Sequence, residues 1–248
     1  MANAIQLLTL DLDNTLWDVD KTIIRAEQNM RRWLADEAPL SLEHYNQENL
    51  PTFRQQVADR FPNKIHDLSF MRTEVLTLVM YAAGYEFQIG RDLANAAFDV
   101  FFDGRNQVEL FPGAVESLTE LSESYTIIAL TNGNADIQRA GLSAWLSGAI
   151  SSADVGKSKP SAEMFHAPLT QFSVRPNQVI HIGDNLIDDV QGAQNVGMHT
   201  VWVNLKGSQG PEGATISTNK ASDQRRVHKE ISHLDQLSSA IAEIAATS

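Results

Sequence analysis

The sequence predicts an α/β protein: a Rossmann-like parallel sheet core with an all-α domain of four helices inserted after the first strand. Three observations predict it. A short apolar run at residues 5–10 (IQLLTL) stops abruptly at the polar turn DLDNT, as a buried strand does. From about residue 20 to 105 apolar residues recur at helical spacing with no convincing strand between them. After Pro112-Gly113, short runs rich in Val and Ile alternate with helical stretches of roughly ten residues, the signature of parallel strand–helix–strand units.

The inserted part divides into helical segments 20–37, 41–60, 66–83 and 90–104, punctuated by Pro39, Pro51, Pro62, Gly84 and Gly90. In 66–83, Leu68, Met71, Val75, Leu78 and Val79 share one face. The core then resumes. A helix over 114–123 leads to a strand over 126–131 and a helix near 135–142. A strand over 149–155 precedes a helix beginning near Ser161. Next come a strand over 178–182, a helix over 187–196 and a strand over 200–203. Residues 204–226 are rich in Gly, Ser, Asn and charge and read as an exposed loop. An edge strand over 227–231 and a closing helix over 233–246 finish the chain. Residues 1–19 and 106–248 therefore form the core domain and 20–105 the helical domain. A ligand belongs at the carboxyl ends of the core strands, where the strand order switches.

Bulk properties narrow the function. A chain of 248 residues buries about 70–75% of its unfolded surface and needs no covalent staples. The absence of cysteine excludes disulfides, thiolate metal sites and a cysteine nucleophile. A formal net charge of -12 argues against nucleic acid as a partner, because phosphate-backbone binding rests on Lys and Arg. A small phosphate ester is still compatible with that charge, since a metal ion and helix N-termini supply local positive potential. The opening segment lacks a basic n-region, and no run reaches the roughly 18 apolar residues of a membrane helix. The expectation is a cytoplasmic protein with no membrane partner.

Four polar clusters fall at strand ends. Asp11 and Asp13, one residue apart, project to the same side. One carboxylate of such a pair can attack phosphorus while the other trades a proton with the leaving oxygen. Thr131-Asn132-Gly133 offers a hydroxyl and backbone N–H groups to phosphoryl oxygens. Lys159, before Pro160, can neutralise charge on a transferring group. Asp184, with Asp188 or Asp189 a turn later, completes a ring of carboxylates. Each cluster alone has an ordinary explanation as a turn, a cap or a solvated lysine. Their meeting at one sheet end does not. Converging carboxylates repel unless a cation is present, and oxygen-only ligands select a hard divalent ion, Mg²⁺.

DLDNTLWD, TNG, KP and GDNLIDD, in that order, resemble the four motifs of the haloacid dehalogenase superfamily, and the match spans nearly the whole core. Phe111-Pro112-Gly113, the Lys-Pro run to Phe165, and Gly192-Ala193 through Gly197-Met198 are similar to it too. The resemblance implies Asp11 as nucleophile and metal ligand, and Asp13 as general acid/base that binds metal through its backbone carbonyl. It implies that Thr131 and Asn132 hold the phosphoryl group with Gly133, that Lys159 stabilises its charge, and that Asp184 is a direct metal ligand. Its spacing favours Asp189 over Asp188 as the second acidic residue, and it casts 20–105 as a cap that sets substrate choice.

The implied reaction is Mg²⁺-dependent hydrolysis of a small phosphate ester through an aspartyl-phosphate. The dehalogenase branch lacks the second aspartate, because halide leaves without a proton; Asp13 therefore favours a phosphate ester. Phosphonate hydrolysis would need a cap lysine, and Lys64 reads as a solvated loop residue. A phosphomutase or sugar phosphate phosphatase shares the core chemistry. A non-catalytic phosphometabolite-binding protein would have lost Asp11, Asp13 or Lys159, and all three are present. TNGNA, SKP, HIGDNLIDDVQGAQNVGM and HKEISHLDQL are similar to a bacterial subgroup that hydrolyses flavin mononucleotide and the aminopyrimidine phosphate of riboflavin synthesis. Trp17 is a core or flap aromatic that could instead stack on a flat ring. Arg72, Arg91 and Arg105 read as solvated residues with the option of holding a substrate tail. His181 and His199 read as satisfied core residues.

Overall fold

The computed structural model describes residues 4–205 and 228–247. Six strands form one sheet: β1 (Leu7–Leu10), β2 (Thr126–Thr131), β3 (Ala149–Ser151), β4 (Val179–Gly183), β5 (His199–Val203) and β6 (Lys229–Ile231). All neighbours pair parallel, in the order β3-β2-β1-β4-β5-β6. Every residue of β1 and β4 is buried, which is why these runs are continuously apolar rather than alternating. The chain walks outward from β1 to β3, then returns beside β1 at β4. The switch point thus lies between β1 and β4, at their carboxyl ends.

Between β1 and the rest of the sheet the chain forms α1 (Val19–Glu37), α2 (Leu50–Arg60), α3 (Leu68–Ala82) and α4 (Phe87–Arg105). The core helices are α5 (Ala114–Ser122), α6 (Ser152–Val155), α7 (Ala162–Phe172), α8 (Gly192–Asn195) and α9 (Leu237–Thr247). The chain separates into two compact units. One comprises Met1–Asp18, Glu109–Gly133 and Gly141–Ser248; the other comprises Val19–Val108 and Asn134–Ala140. No helix among the described residues is long and apolar enough to cross a membrane.

Within the sheet unit, Leu7, Ile128 and Val179 pack with Met164 and Phe165 of α7 and Ala193 of α8. Gly192 makes that approach possible, because a Cβ there would overlap the Phe165 ring. Within the helical unit, Ala26, Met30 and Leu34 of α1 and Ala94, Ala97 and Phe101 of α4 recur at three- and four-residue spacing. They form one core with Val75, Leu76, Val79 and Met80 of α3.

Several expected elements differ. The helix expected over 41–60 is broken: a 3₁₀ turn covers Pro39–Glu43, and α2 starts only at Leu50. Asn46 Oδ1 accepts the N–H groups of Glu48 and Asn49 at 3.0 and 2.9 Å, and Pro51 occupies the first turn of α2, where its missing N–H is harmless. The buried stripe of α3 is turned from the expected row. Leu76 and Met80 are fully buried while Leu68 is 46% exposed, because α3 packs on both α2 and α4. The helix expected near 135–142 is a single turn. Asp136 Oδ1 accepts from Gln138 and Arg139 N–H, and Gly141, at φ 74°, ends it. The strand expected over 149–155 stops at Ser151, whose capping box with Asp154 starts α6 instead. Leu186–Gln191 winds as a π turn ahead of α8 rather than an ordinary helix over 187–196. A 3₁₀ turn over Leu234–Gln236 precedes α9. The loop expected at 204–226 lies almost wholly outside the described residues, as does Val227; β6 is the edge strand.

Gly104 of α4 meets α1 so closely that a Cβ would come within 2.9 Å of the Ala26 Cα. Gly104→Ala should therefore cost about 1–3 kcal/mol. It should lower the urea midpoint with little change in slope. Gly148→Ala, where nothing lies within 4 Å, should stay within about 0.5 kcal/mol of wild type.

Candidate active site

The carboxyl end of β1 runs into a tight loop. Asp11 prolongs the pairing with β4 by donating its N–H to Ile182 O at 2.8 Å. The loop then closes on itself: Asn14, at φ 61°, donates its N–H to Trp17 O at 2.8 Å. Trp17 is fully buried and its indole Nε1 donates to Asp13 Oδ1 at 3.0 Å. Trp17 is thus a core residue that orients Asp13, with its ring unavailable for stacking on a ligand. Thr15 Oγ1 lies 3.2 Å from Asp11 Oδ2 and 3.4 Å from Asp184 Oδ1.

Lys159 is buried at the centre. Its Nζ donates to Asp11 Oδ1 at 2.6 Å, Asp189 Oδ1 at 2.6 Å and Leu130 O at 2.7 Å. An ammonium has three donors, and these acceptors use all three. The Lys159 backbone is fixed by Asn132, whose Oδ1 accepts Lys159 N–H at 2.7 Å and whose Nδ2 donates to Lys159 O at 3.1 Å. Oδ1 and one of the two Nδ2 hydrogens of Asn132 are thus engaged by the Lys159 backbone, and the amide has a second N–H donor. Thr131 Oγ1 accepts Gly133 N–H at 2.9 Å, which leaves the hydroxyl proton to donate elsewhere.

After β4, Asn185 Oδ1 accepts the N–H groups of Ile187 and Asp188 and so caps the π turn. The wide turn carries Asp189 inward and leaves Asp188 half-buried. Asp189 Oδ2 accepts Asn185 N–H at 3.0 Å, and Asp189 Oδ1 meets His181 Nε2 at 3.0 Å. Gly183 has to be glycine for this, because a Cβ would overlap the Asp189 carboxylate. Asp11, Asp13, Thr131, Asn132, Gly133, Lys159, Asp184, Asp188 and Asp189 all line one cleft of about 170 Å³.

Burial pushes the Asp11 carboxyl up to about 7, with Asp189 and Asp184 adding to the rise and Lys159 opposing it. Burial and Asp189 push Asp184 up to about 6. Burial also works against the charged form of Asp189, but Lys159 and His181 outweigh it and hold this carboxyl well below the usual range. Lys159 stays charged because Asp11 and Asp189 more than offset its burial. Oxygens of Asp11, Asp184 and Asp189 lie within 4.8 Å of one another. This all-oxygen set fits a hard divalent cation. Asp11 and Asp184, both pushed toward the protonated form, are the groups a cation would most relieve.

Other expected residues lie in the helical unit. Arg72 pairs with Glu27 at 3.0 Å and stacks 3.6 Å over Phe101. Arg91 pairs with Glu74 at 2.5 Å, and Lys64 with Asp67 at 3.4 Å. Arg105 is buried, contrary to the solvated reading. In the sheet unit, His199 at the start of β5 packs edge-on against His228. Sequence reasoning missed Thr15, although it sits inside the first motif. It also missed the link from His181 to Asp189, although it read His181 correctly as a satisfied core histidine.

A Rossmann-like sheet with an aspartate–lysine cluster beyond its carboxyl ends defines a class of small-molecule α/β enzymes. Residues 5–197 match the haloacid dehalogenase-like hydrolase family. The 5-amino-6-(5-phospho-D-ribitylamino)uracil phosphatase of Escherichia coli is 29% identical over 96% of both chains. The phosphoserine phosphatase of Thermus thermophilus is 36% identical over 53% of this chain and 54% of its own. A crystal structure of 2-haloacid dehalogenase from Pseudomonas syringae pv. Tomato superposes with a TM-score of 0.87. It is 35% identical and covers 96% of this chain and 99% of that one. The chain belongs to the haloacid dehalogenase-like hydrolase family.

Asp11 and Asp184 titrate higher folded than unfolded. The stability they lend is complete below the unfolded value of 3.8 and is lost as pH rises through about 6 and about 7. The contribution of Asp189, whose carboxyl is held low, is constant over that interval. His181, His199 and His228, held below their usual value by burial, contribute with the opposite sign, so the carboxyl effect is read by difference. Between about pH 5.5 and about pH 8, chelator-treated wild type should lose more melting temperature than chelator-treated Asp11→Asn. Added Mg²⁺ should raise the melting temperature more at the higher pH, because protons compete with the ion. Equal Mg²⁺ shifts at both pH values would count against a metal on these carboxylates.

Proposed function

We propose that the chain is a Mg²⁺-dependent phosphomonoester hydrolase that works through an aspartyl-phosphate on Asp11. The observation that carries this reading is the Lys159 ammonium, 2.6 Å from Asp11 Oδ1. It opposes the burial that pushes this carboxyl toward neutrality and holds it aimed at the cleft where Asp13 also lies.

The chain's own groups account for each step. Asp11 attacks phosphorus, and Asp13, oriented by Trp17, gives its proton to the departing ester oxygen. Asp13 then takes a proton from water as that water attacks phosphorus. The bond between phosphorus and the Asp11 oxygen breaks, and phosphate leaves. Lys159 offsets the charge that gathers on Asp11 and the phosphoryl oxygens. Thr131 donates its hydroxyl proton to one of those oxygens, beside the Gly133 backbone. Asn132 acts through Lys159, holding its backbone on both sides. Asp11, Asp184, Asp189 and the Asp13 backbone carbonyl would hold Mg²⁺, which supplies Lewis-acid neutralisation of the phosphoryl oxygens.

Two readings compete for the leaving group. The 2-haloacid dehalogenase likeness at 35% identity favours a haloacid; Asp13 favours a phosphate ester, because only the ester needs an acid. The name of the Escherichia coli relative adds weight to the ester and makes the aminopyrimidine phosphate, with flavin mononucleotide, the first substrates to try. We assign leaving-group choice to the helical segment 20–105.

With Mg²⁺ and a chromogenic phosphate ester, wild type should turn over and Asp11→Asn should be inactive while still folded. Asp13→Ala should slow alkyl phosphates by about 10²–10⁴-fold. It should slow nitrophenyl phosphate much less, because that leaving group needs little protonation. Halide release from a 2-haloacid without ester hydrolysis would reverse the choice. A screen of small phosphomonoesters that includes both riboflavin-pathway compounds then ranks the substrates.

A further inference from the structure

We propose that Thr9 and His181 form a positioning pair that sets, through Asp189, where the Lys159 ammonium sits against Asp11. The inference rests on the proposed role of Asp11 and extends the site two residues into the sheet. Thr9 of β1 and His181 of β4 are register partners on adjacent parallel strands, and both are fully buried. Thr9 Oγ1 lies 2.8 Å from His181 Nδ1. The chain of contacts then runs from His181 Nε2 to Asp189 Oδ1 at 3.0 Å and on to Lys159 Nζ at 2.6 Å. A last step of 2.6 Å reaches Asp11 Oδ1.

The proton positions along this chain are forced. Asp189 is held as a carboxylate by Lys159 and can only accept, so His181 Nε2 carries the proton facing it. The Lys159 ammonium already sits on the same Asp189 oxygen at 2.6 Å, and a second buried cation there would have no carboxylate of its own. The imidazole is therefore neutral, Nδ1 has a bare lone pair, and the Thr9 hydroxyl donates to it. Phe165 packs edge-on against the imidazole, with ring centroids 5.3 Å apart and planes at 86°, which opposes rotation of the ring. The Thr9 hydroxyl is thus the group that selects the tautomer.

The tautomer matters because of how Lys159 is held. Of its three acceptors, Leu130 O belongs to a strand backbone and Asp11 is the proposed nucleophile. Asp189 is the remaining anchor. It has two donors of its own besides Lys159: the Asn185 N–H on Oδ2 and His181 Nε2–H on Oδ1. Without the Thr9 hydroxyl, Nδ1 is left buried and unsatisfied. The imidazole can recover a partner only by giving up the proton that faces Asp189. Asp189 then loses one of the two donors that fix it, and the ammonium loses its reference point. Outer groups of this kind alter activity about 10–100-fold when removed.

The test uses Thr9→Val, which keeps the shape and removes the hydroxyl, and Thr9→Ser, which keeps the hydroxyl. With Mg²⁺ and a chromogenic phosphate ester, Thr9→Val should lower kcat about tenfold with KM within about twofold of wild type. Thr9→Ser should restore kcat to within about threefold of wild type. Wild-type kcat in Thr9→Val, or equal losses in the Val and Ser variants, would overturn the proposal, since packing alone would then explain the effect. A second measurement needs no variant and no turnover. Long-range ¹H–¹⁵N spectra of the wild-type protein should show His181 as the neutral Nε2–H tautomer, and the Nδ1–H form would overturn the pairing. If wild type hydrolyses no phosphate ester, the phosphatase reading fails, while the tautomer still decides the hydrogen-bond chain on its own.

Discussion

The Lys159 ammonium, buried between the carboxylates of Asp11 and Asp189, is the contact on which the rest of the site depends. Removing an ammonium from water is costly, and only excellent geometry offsets it. Here the offset comes from three acceptors, one on each of three separate pieces of chain: the end of β1, the end of β2 and the turn after β4. The lysine itself comes from the loop after α6. One charge therefore draws three strand-end segments and the loop after α6 to a point. Removing one partner of such a pair typically costs about 3–5 kcal/mol, because the other charge is stranded. The cluster's value is positional: it holds Asp11 in place and opposes the burial and the two further aspartates that push its carboxyl toward neutrality.

The same physics separates the acids. Asp189 surrenders its proton to the field of Lys159, with its oxygens also bonded to Asn185 and His181. Asp184 is pushed upward by burial and by Asp189, against smaller opposing pulls from Lys159 and Thr15. Asp13 takes its orientation from a tryptophan four residues on. Four of the five aspartates lining this cleft are thus set apart by their surroundings. That division suits phosphoryl transfer, which needs an attacking carboxylate, a proton donor and a cation site together. The names carried by relatives divide between phosphatases and a dehalogenase, and in the proposed reading Asp13 is the residue on which the two chemistries part.

Much of this was legible in the sequence, for a reason. Buried parallel strands are continuous apolar runs, so their ends are visible, and chemistry placed at strand ends is visible with them. Asp11, Thr131, Lys159 and Asp184 could all be placed in that way. The choice between Asp188 and Asp189 could not, because an ordinary helix and a π turn present adjacent residues differently, and nothing in LIDDVQ announces the extra residue per turn. Thr9 and His181 were illegible as a pair because their contact is a matter of strand register between residues far apart in the chain. The single turn at Asp136–Gly141 and the break before α2 turned on Asx capping and a positive φ, which outweighed apolar spacing. The stripe on α3 was misplaced because the helix has two packing partners, and periodicity points to one.

Covalent catalysis on Asp11 requires its carboxylate to bond to phosphorus during turnover. The direct test is to quench wild-type protein during turnover of a phosphate ester, reduce it with borohydride, and read the peptide spanning residues 5–20 by mass spectrometry. An acyl phosphate at Asp11 reduces to the alcohol, so that alcohol should appear at position 11 with Asp13 unmodified. Reduction at any other residue, or turnover with Asp11 unmodified at every quench time, would contradict it.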